Sequence, residues 1–411
     1  MVDVWLPYDK TEVHIRVPSE NLVGVVEARG KPGVKDITDE VENAIKGLFS
    51  EKIKVRGKIA LALNIPDAHL AKLIVFSIMK EMAHVGLKNE DLTVVFADNP
   101  LTPRAANITE QLRGEIVSLG INTVIHDPLH NNTYICDAED GAKVYLDKVF
   151  IESEARIVAS TIEPDPYTIY SCCETCVSFG LTSLETIRGI LTPILSAENI
   201  QERVFRKAID VSRVAKVNYS ISIVRNLSGE VIGCFAGESE KVLHESLEAA
   251  DPLYKVAFGE ETSIVVISSG GSPHDINIFS ACRCLENALK VVRRNGAIIL
   301  VAECPEGYGE TGFHQIIRKS GGDLDLLERI LRDNFSVSGF IAYRFLRAFK
   351  KADIFMVTAI PDYYVSEIPK LKIFRTANES LNYALSKLGT KSKVIVIPHG
   401  NSIIPVIREQ K

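Results

Sequence analysis

Three of the chain's eight cysteines fall within five residues, at Cys172, Cys173 and Cys176 in the run Tyr167-Thr-Ile-Tyr-Ser-Cys-Cys-Glu-Thr-Cys-Val-Ser-Phe-Gly180. Thiols that dense offer three chemistries. They can bind a soft metal or three corners of an iron–sulfur cluster. They can include a low-pKa nucleophile at a helix start. They can also be small, apolar fillers of a core. A fourth ligand has to come from elsewhere, and Cys304, at the end of an expected strand, is the natural candidate. The expected metal set is therefore Cys172, Cys173, Cys176 and Cys304. Cys282 and Cys284 come next, and Cys136 and Cys234 are expected to be structural.

Other loops could recognise an anion. Ser268-Ser-Gly270-Gly271-Ser-Pro273 leads to Asp275, and bare N–H groups at such a turn suit a carboxylate or phosphate. The plain alternative is a strand-to-helix turn with Asp275 as the N-cap. No Gly-Lys-Ser/Thr follows and no Gly-x-Gly-x-x-Gly opens the chain, so neither common nucleotide fingerprint is present. Gly307-Tyr-Gly-Glu310-Thr-Gly312 is a second glycine-rich loop, whose Glu310 can meet a substrate hydroxyl or stay solvated. Asn64, Asp67 and His69 follow one apolar run, and Asp98 follows another. His274 and His314 lie near such loops too.

These loops need strands and helices to aim them. Lys58–Leu63 and Leu92–Ala97 are continuous apolar runs, the mark of parallel strands buried on both faces. Helices are expected over 69–84, 108–119, 184–191, 198–216 and 238–250, with a hairpin about Asn226–Gly229. The pattern restarts after Glu261 with a strand at Ile264–Ile267, a long helix at 275–293 and a strand at 297–302. The expectation is an α/β fold: two α/β domains with mostly parallel sheets and an active-site cleft between them. The first spans 1–260, the second 261–398, and the tail 399–411 returns to the first.

A length of 411 residues exceeds one ordinary core. The formal net charge of −6 argues against a nucleic-acid partner, since phosphate binding needs a basic face. No long uncharged apolar run suggests a membrane span, and the start does not read as a signal peptide. The thiols are accordingly expected to be reduced, in a cytoplasmic protein.

At this point the chain is identified as similar to the nickel-dependent lactate racemases and their relatives. The likeness is carried by Leu6-Pro-Tyr-Asp-Lys10, Gly233-Cys-Phe-Ala-Gly237, Gly270-Gly-Ser-Pro-His-Asp-Ile-Asn-Ile278, Val301–Phe313 and Val394-Ile-Val-Ile-Pro-His-Gly400. The resemblance implies two α/β domains with the site between them. It also implies a nickel-pincer pyridinium mononucleotide, tethered to a lysine. The lysine's position falls on Thr175, which cannot form that link, so a covalent nickel-pincer nucleotide is not expected here. The family's metal-binding histidine falls on Asp165. Its two His-Arg loops fall on Asn64–His69 and Asp98–Arg104. Its substrate lysine falls on Arg283, and its cofactor-covering aromatic on Phe340.

Together these readings give a divergent enzyme for a small anionic, 2-hydroxy-acid-like substrate. Cys172, Cys173, Cys176, Asp165 and Arg283 form the expected catalytic group. Asn64, Asp67, His69, Asp98, Gly270, Gly271, Asp275, Thr175, Glu310 and Phe340 form the expected substrate contacts. A metal or iron–sulfur cluster on the thiols is an open possibility, as is a homo-oligomer. Two alternatives stand beside this: a ligand-binding or sensing homologue without turnover, and a racemase or epimerase using an untethered nickel-pincer cofactor.

Overall fold

The computed structural model describes residues 1–26, 30–49, 55, 57–102, 106–138 and 140–407. Two sheets organise them. The first runs, in spatial order, Val231–Gly237, Tyr219–Arg225, Ala155–Asp165, Ile59–Asn64, Leu92–Phe96 and Asn122–Ile125. All neighbours are parallel except the hairpin Tyr219–Arg225/Val231–Gly237 and a short strand, Ile169–Ser171, that folds back on Ala155–Asp165. The second is wholly parallel: Lys372–Phe374, Ala352–Val357, Val292–Val301, Thr262–Ser268, Val394–Ile397 and Leu22–Val25.

The strands' period of two decides the layers. Ile59, Leu61 and Leu63 point into one apolar cluster under the helices Ile37–Ile45 and Ala68–His84. Ala60 and Ala62 point into another, on the opposite face. In the second sheet Val265 and Ile267 enter that same cluster, while Ile264 and Val266 face a third. The middle cluster is therefore common to both units, with helices such as Cys173–Gly180, Ile200–Val214 and Val337–Ala348 between the two sheets. Strands apolar on both faces are what this sandwich requires.

Sheet membership departs from a division at 260. Leu22–Val25 is the edge of the second sheet, and the hairpin Val2–Tyr8/Thr11–Val17 packs Val4, Leu6, Ile15 and Val17 into that sheet's outer cluster. The opening 26 residues thus belong with the second unit. Lys255–Phe258 pairs with the tail strand Ile404–Ile407, and Ile404 packs with Ile162, Tyr170 and Val224 of the first unit.

Three elements differ from expectation. The long helix at 275–293 is instead a helix Ile278–Ala281, a three-ten turn Cys282–Cys284 and a helix Leu285–Val291, after which the chain is already extended from Val292. Its cap is Asn277, whose Oδ1 accepts from Ser280 N–H, and not Asp275. The loop 307–320 contains a further helix, Thr311–Ser320. The Cys-rich stretch is no loop: Cys173–Gly180 is a helix with every residue buried.

Candidate functional site

The carboxyl ends of parallel strands collect the chemistry, as expected for open α/β sheets. Asp165 closes Ala155–Asp165 in the first unit, and Arg283 sits on the three-ten turn of the second. Arg283 Nη2 donates to Asp165 Oδ2 at 2.6 Å, with side chains 11% and 1% exposed. The other carboxylate oxygen, Oδ1, accepts from the N–H groups of Tyr167 and Thr168. The Tyr167 ring lies 5.7 Å from the guanidinium carbon, and Phe340 backs that ring edge-on at 5.6 Å. Phe340 is fully buried and therefore supports Tyr167 instead of covering a ligand. Arg283 Nε has no protein partner although it is buried.

His274 neighbours this pair. Although the residue is exposed at the surface, partial loss of hydration, with Arg283 and His399 nearby, lowers its pKa to about 4. A Cβ on Gly270 would stand 3.6 Å from His274 Cδ2 and 3.8 Å from His399 Nδ1. From His399 a groove of about 560 Å³ opens past Pro7, Trp5, Val25 and Leu227. Other buried polar atoms at strand ends also lack a protein partner: Asn99 Nδ2 in the first unit, and Ser269 Oγ and both Asn401 amide atoms in the second. Buried polar groups are ordinarily satisfied, so these atoms have hydrogen-bonding capacity left for water or a polar ligand, as do others away from the strand ends such as Thr192 Oγ1 and Ser380 Oγ.

The remaining expected residues divide. Asn64 is buried at the end of Ile59–Asn64, and Asp98 is half-buried beyond Leu92–Phe96. Asp67 caps Ala68–His84 through His69 N–H and Leu70 N–H and stands 3.9 Å from Arg225. His69 is exposed on that helix. Arg104 lies outside the described residues. Arg225, unsuspected from the sequence, ends Tyr219–Arg225 between Asp67 and Glu163, 3.9 Å from each. The strand-end rule that picked out Asp165 was enough to find it.

Several expectations need correction. The Gly270-Gly271 turn is not a bare anion nest. Gly270 N–H goes to Ser268 Oγ, Ser272 N–H to Asp9 O and His274 N–H to Gly271 O. Gly271, at φ +72°, leaves room for the hairpin turn, since a Cβ would meet Asp9 O at 2.7 Å. Asp275 is fully buried, and its Oδ2 accepts from Asp9 N–H and Glu303 N–H. This loop anchors the N-terminal hairpin. Glu310 is also structural, because its carboxylate caps Thr311–Ser320 through Phe313 N–H at 2.8 Å.

The thiols are corrected most. Cys173 Sγ donates toward Ile221 O at 3.4 Å and Val158 O at 3.6 Å, inside the sheet-facing core. Cys172 joins a different cluster, with Ile162, Tyr170 and Val224. Burial pushes Cys172, Cys173 and Cys304 well above the ordinary thiol range, which holds them protonated at neutral pH. Among the described residues no three His, Cys, Asp or Glu side chains are grouped to hold a metal ion. Adjacent residues at a helix start diverge, which is why the density did not become a ligand set. Glu174, between them, is a buried carboxyl whose pKa burial raises. It shares a side-chain hydrogen bond with Cys172, and its Oε2 has no protein partner.

Thr175 shows how the tethering position is filled. Its hydroxyl accepts from Cys172 N–H at 2.8 Å and donates to Cys172 O at 3.0 Å, and the residue is wholly buried. With no amine and no exposed atom, this position does not fit a group attached through a lysine.

Comparison with known proteins agrees with the architecture. The family model for the lactate racemase N-terminal domain matches residues 8–198, and that for the lactate racemase C-terminal domain matches 259–405. A lactate racemase of Thermoanaerobacterium thermosaccharolyticum is 23% identical, with all of both chains covered. One from Lactiplantibacillus plantarum is 22% identical over 98% of this chain and all of that one. The lactate racemase apoprotein structure from T. thermosaccharolyticum superposes with a TM-score of 0.84 at 21% identity, covering 99% of this chain and all of that one. A Thermotoga maritima protein follows with a TM-score of 0.61 at 13% identity, covering 90% and 98%. The structural likenesses, at these identities, speak to the fold. No helix among the described residues is long and apolar enough to cross a membrane.

Proposed function

The chain belongs to the lactate racemase family, and from that premise we propose that it is an isomerase acting on a small 2-hydroxy-acid-like carboxylate between the two units. The Arg283–Asp165 pair carries this reading. A fork of five donors binds carboxylates well, and here a desolvated fork spans the unit boundary with Nε unspent. The substrate carboxylate shares or displaces Asp165 on that guanidinium, while Tyr167 keeps water from its face. Inversion by proton transfer takes a proton from one face of C2 and returns one to the other, and His274 beside Arg283 is placed to serve on one of those faces, with water or a second group serving the other. Because Thr175 offers no attachment, no step depends on a tethered cofactor.

The test is incubation with enantiopure 2-hydroxy acids, from lactate to longer homologues, followed by chiral chromatography. The wild-type protein erodes enantiomeric excess and Arg283→Met does not. Unchanged excess across the series overturns the reading. A second reading is favoured by Asp165 already seated on Arg283: a binding protein without turnover. Equilibrium dialysis that finds bound hydroxy acid in the absence of racemisation selects it.

A further inference from the structure

Away from the strand ends, a cavity of about 390 Å³ opens where the start of helix Ile200–Val214 meets the second unit. Glu198, Asn199 and Gln201 line it from the first unit. Lys290, Arg294, Arg347, Lys350 and Lys351 are the cations on the opposite wall, with Glu261 and Glu286 the acids. The acids are largely committed. Glu261 pairs with Lys351 at 2.8 Å, and Glu286 is gripped by buried Arg344 at 2.7 and 2.8 Å. Arg347 donates only to a carbonyl, Ser196 O. Among the described residues Lys290, Arg294 and Lys350 have no carboxylate within ion-pair distance. Four cations without a salt bridge among the described residues thus line one cavity, whose acids outside a salt bridge reduce to Glu198, while Asp323 and Glu328 act on Lys350 and Glu286 on Arg347 from farther off. Glu202, near Lys290, adds a distant negative charge. Lys290 is also partly stripped of water, which lowers its pKa. Like charges gathered in this way, with Lys290 partly desolvated, repel one another, and the arrangement is relieved by a multiply charged anion.

We propose that this cavity is a second anion site, distinct from Arg283, for a small molecule bearing a phosphate or diphosphate. Its volume lies within the range of small-ligand pockets. Its placement links it to the site at the strand ends. Arg283 on the three-ten turn leads directly into the helix Leu285–Val291, which carries Asn287 and Lys290. Buried Gln201 makes a bridge, donating to Asn287 Oδ1 at 3.2 Å and to Pro166 O at 2.9 Å, one residue from Asp165. This bridge runs from the lining of the cavity to the residue beside Asp165.

Isothermal titration of the full-length protein with inorganic pyrophosphate and with inorganic phosphate tests this. Saturable pyrophosphate binding that weakens with added salt is expected. Arg294→Gln, at an exposed position, should weaken it about tenfold, in line with loss of one charge-assisted contact. Lys290→Met should do the same or more, and its apo melting temperature serves as the folding control. Arg283→Met should leave pyrophosphate affinity within about twofold, which separates this site from the proposed substrate site whether or not racemisation is found. Absence of saturable binding overturns the proposal, as does binding that ignores Arg294→Gln and Lys290→Met but vanishes with Arg283→Met.

Discussion

Two stretches only a few residues apart, Asp165–Thr168 and Cys172–Cys176, solved burial in opposite ways. Both lie at the carboxyl end of one strand of the first sheet, and both are packed against the middle layer. Asp165 is compensated, because Arg283 and two backbone N–H groups meet its carboxylate oxygens in place of the water it lost. Burial instead holds Cys172 and Cys173 neutral, as it does Cys304 in the other unit. A residue that can react and a residue placed to react are different things. The difference is whether a compensating charge arrived from the other unit.

Breaking the charged half should have the largest effect. Arg283→Met strands a buried carboxylate, with an expected loss of about 3–5 kcal/mol of stability by urea denaturation and loss of any racemisation. Arg283→Lys should recover part of both, since it restores the charge but not the fork. Retention of full stability in the methionine variant would show the pair to be dispensable.

His274 supplies the next test. Its folded pKa is depressed, so the unfolded chain binds the proton more readily between about pH 4 and 6.5. Stability from this group is complete above pH 6.5 and is lost as pH falls through that window, by an amount that solvent screening of this exposed residue keeps small. His274→Gln should flatten that limb of a urea-midpoint profile, and an unchanged acid limb would remove His274 as its source.

Glu174 has the opposite sign. Its folded pKa is raised, so it weakens the fold as pH rises above the ordinary carboxyl value of 4.5. Glu174→Gln should therefore raise the melting temperature at pH 7, by an amount equivalent to about 1 kcal/mol. A lower melting temperature instead would mean that the Cys172 contact outweighs desolvation.

The smallest effect is expected at the thiols. Cys173→Ser, whose hydroxyl can reach the same carbonyls, and Cys176→Ala should each cost less than about 2 kcal/mol and leave activity intact. A thiol reagent should label neither until the chain unfolds. If either substitution abolished racemisation with melting unchanged, the neutral half of the comparison would fail. Intact mass spectrometry complements this: the chain should weigh its bare 45.3 kDa, with no adduct.

What the sequence determined was pattern. Apolar runs at 58–63, 92–97 and 264–267 could only be doubly covered parallel strands, and they identified the ends where ligands gather. The motifs around Gly270 and Gly400 carried the family, and the resemblance puts Thr175 where a lysine would be expected. What tertiary structure decided was environment. Whether a thiol is a ligand or a filler depends on its direction and its local dielectric, neither of which is written in Cys-Cys-x-x-Cys. Whether Gly270-Gly271 holds an anion depended on the N-terminal hairpin, more than 250 residues away, which takes the turn for itself. Arg283 meets Asp165 across 118 positions of sequence, and only the packing of one unit on the other brings the two charges together.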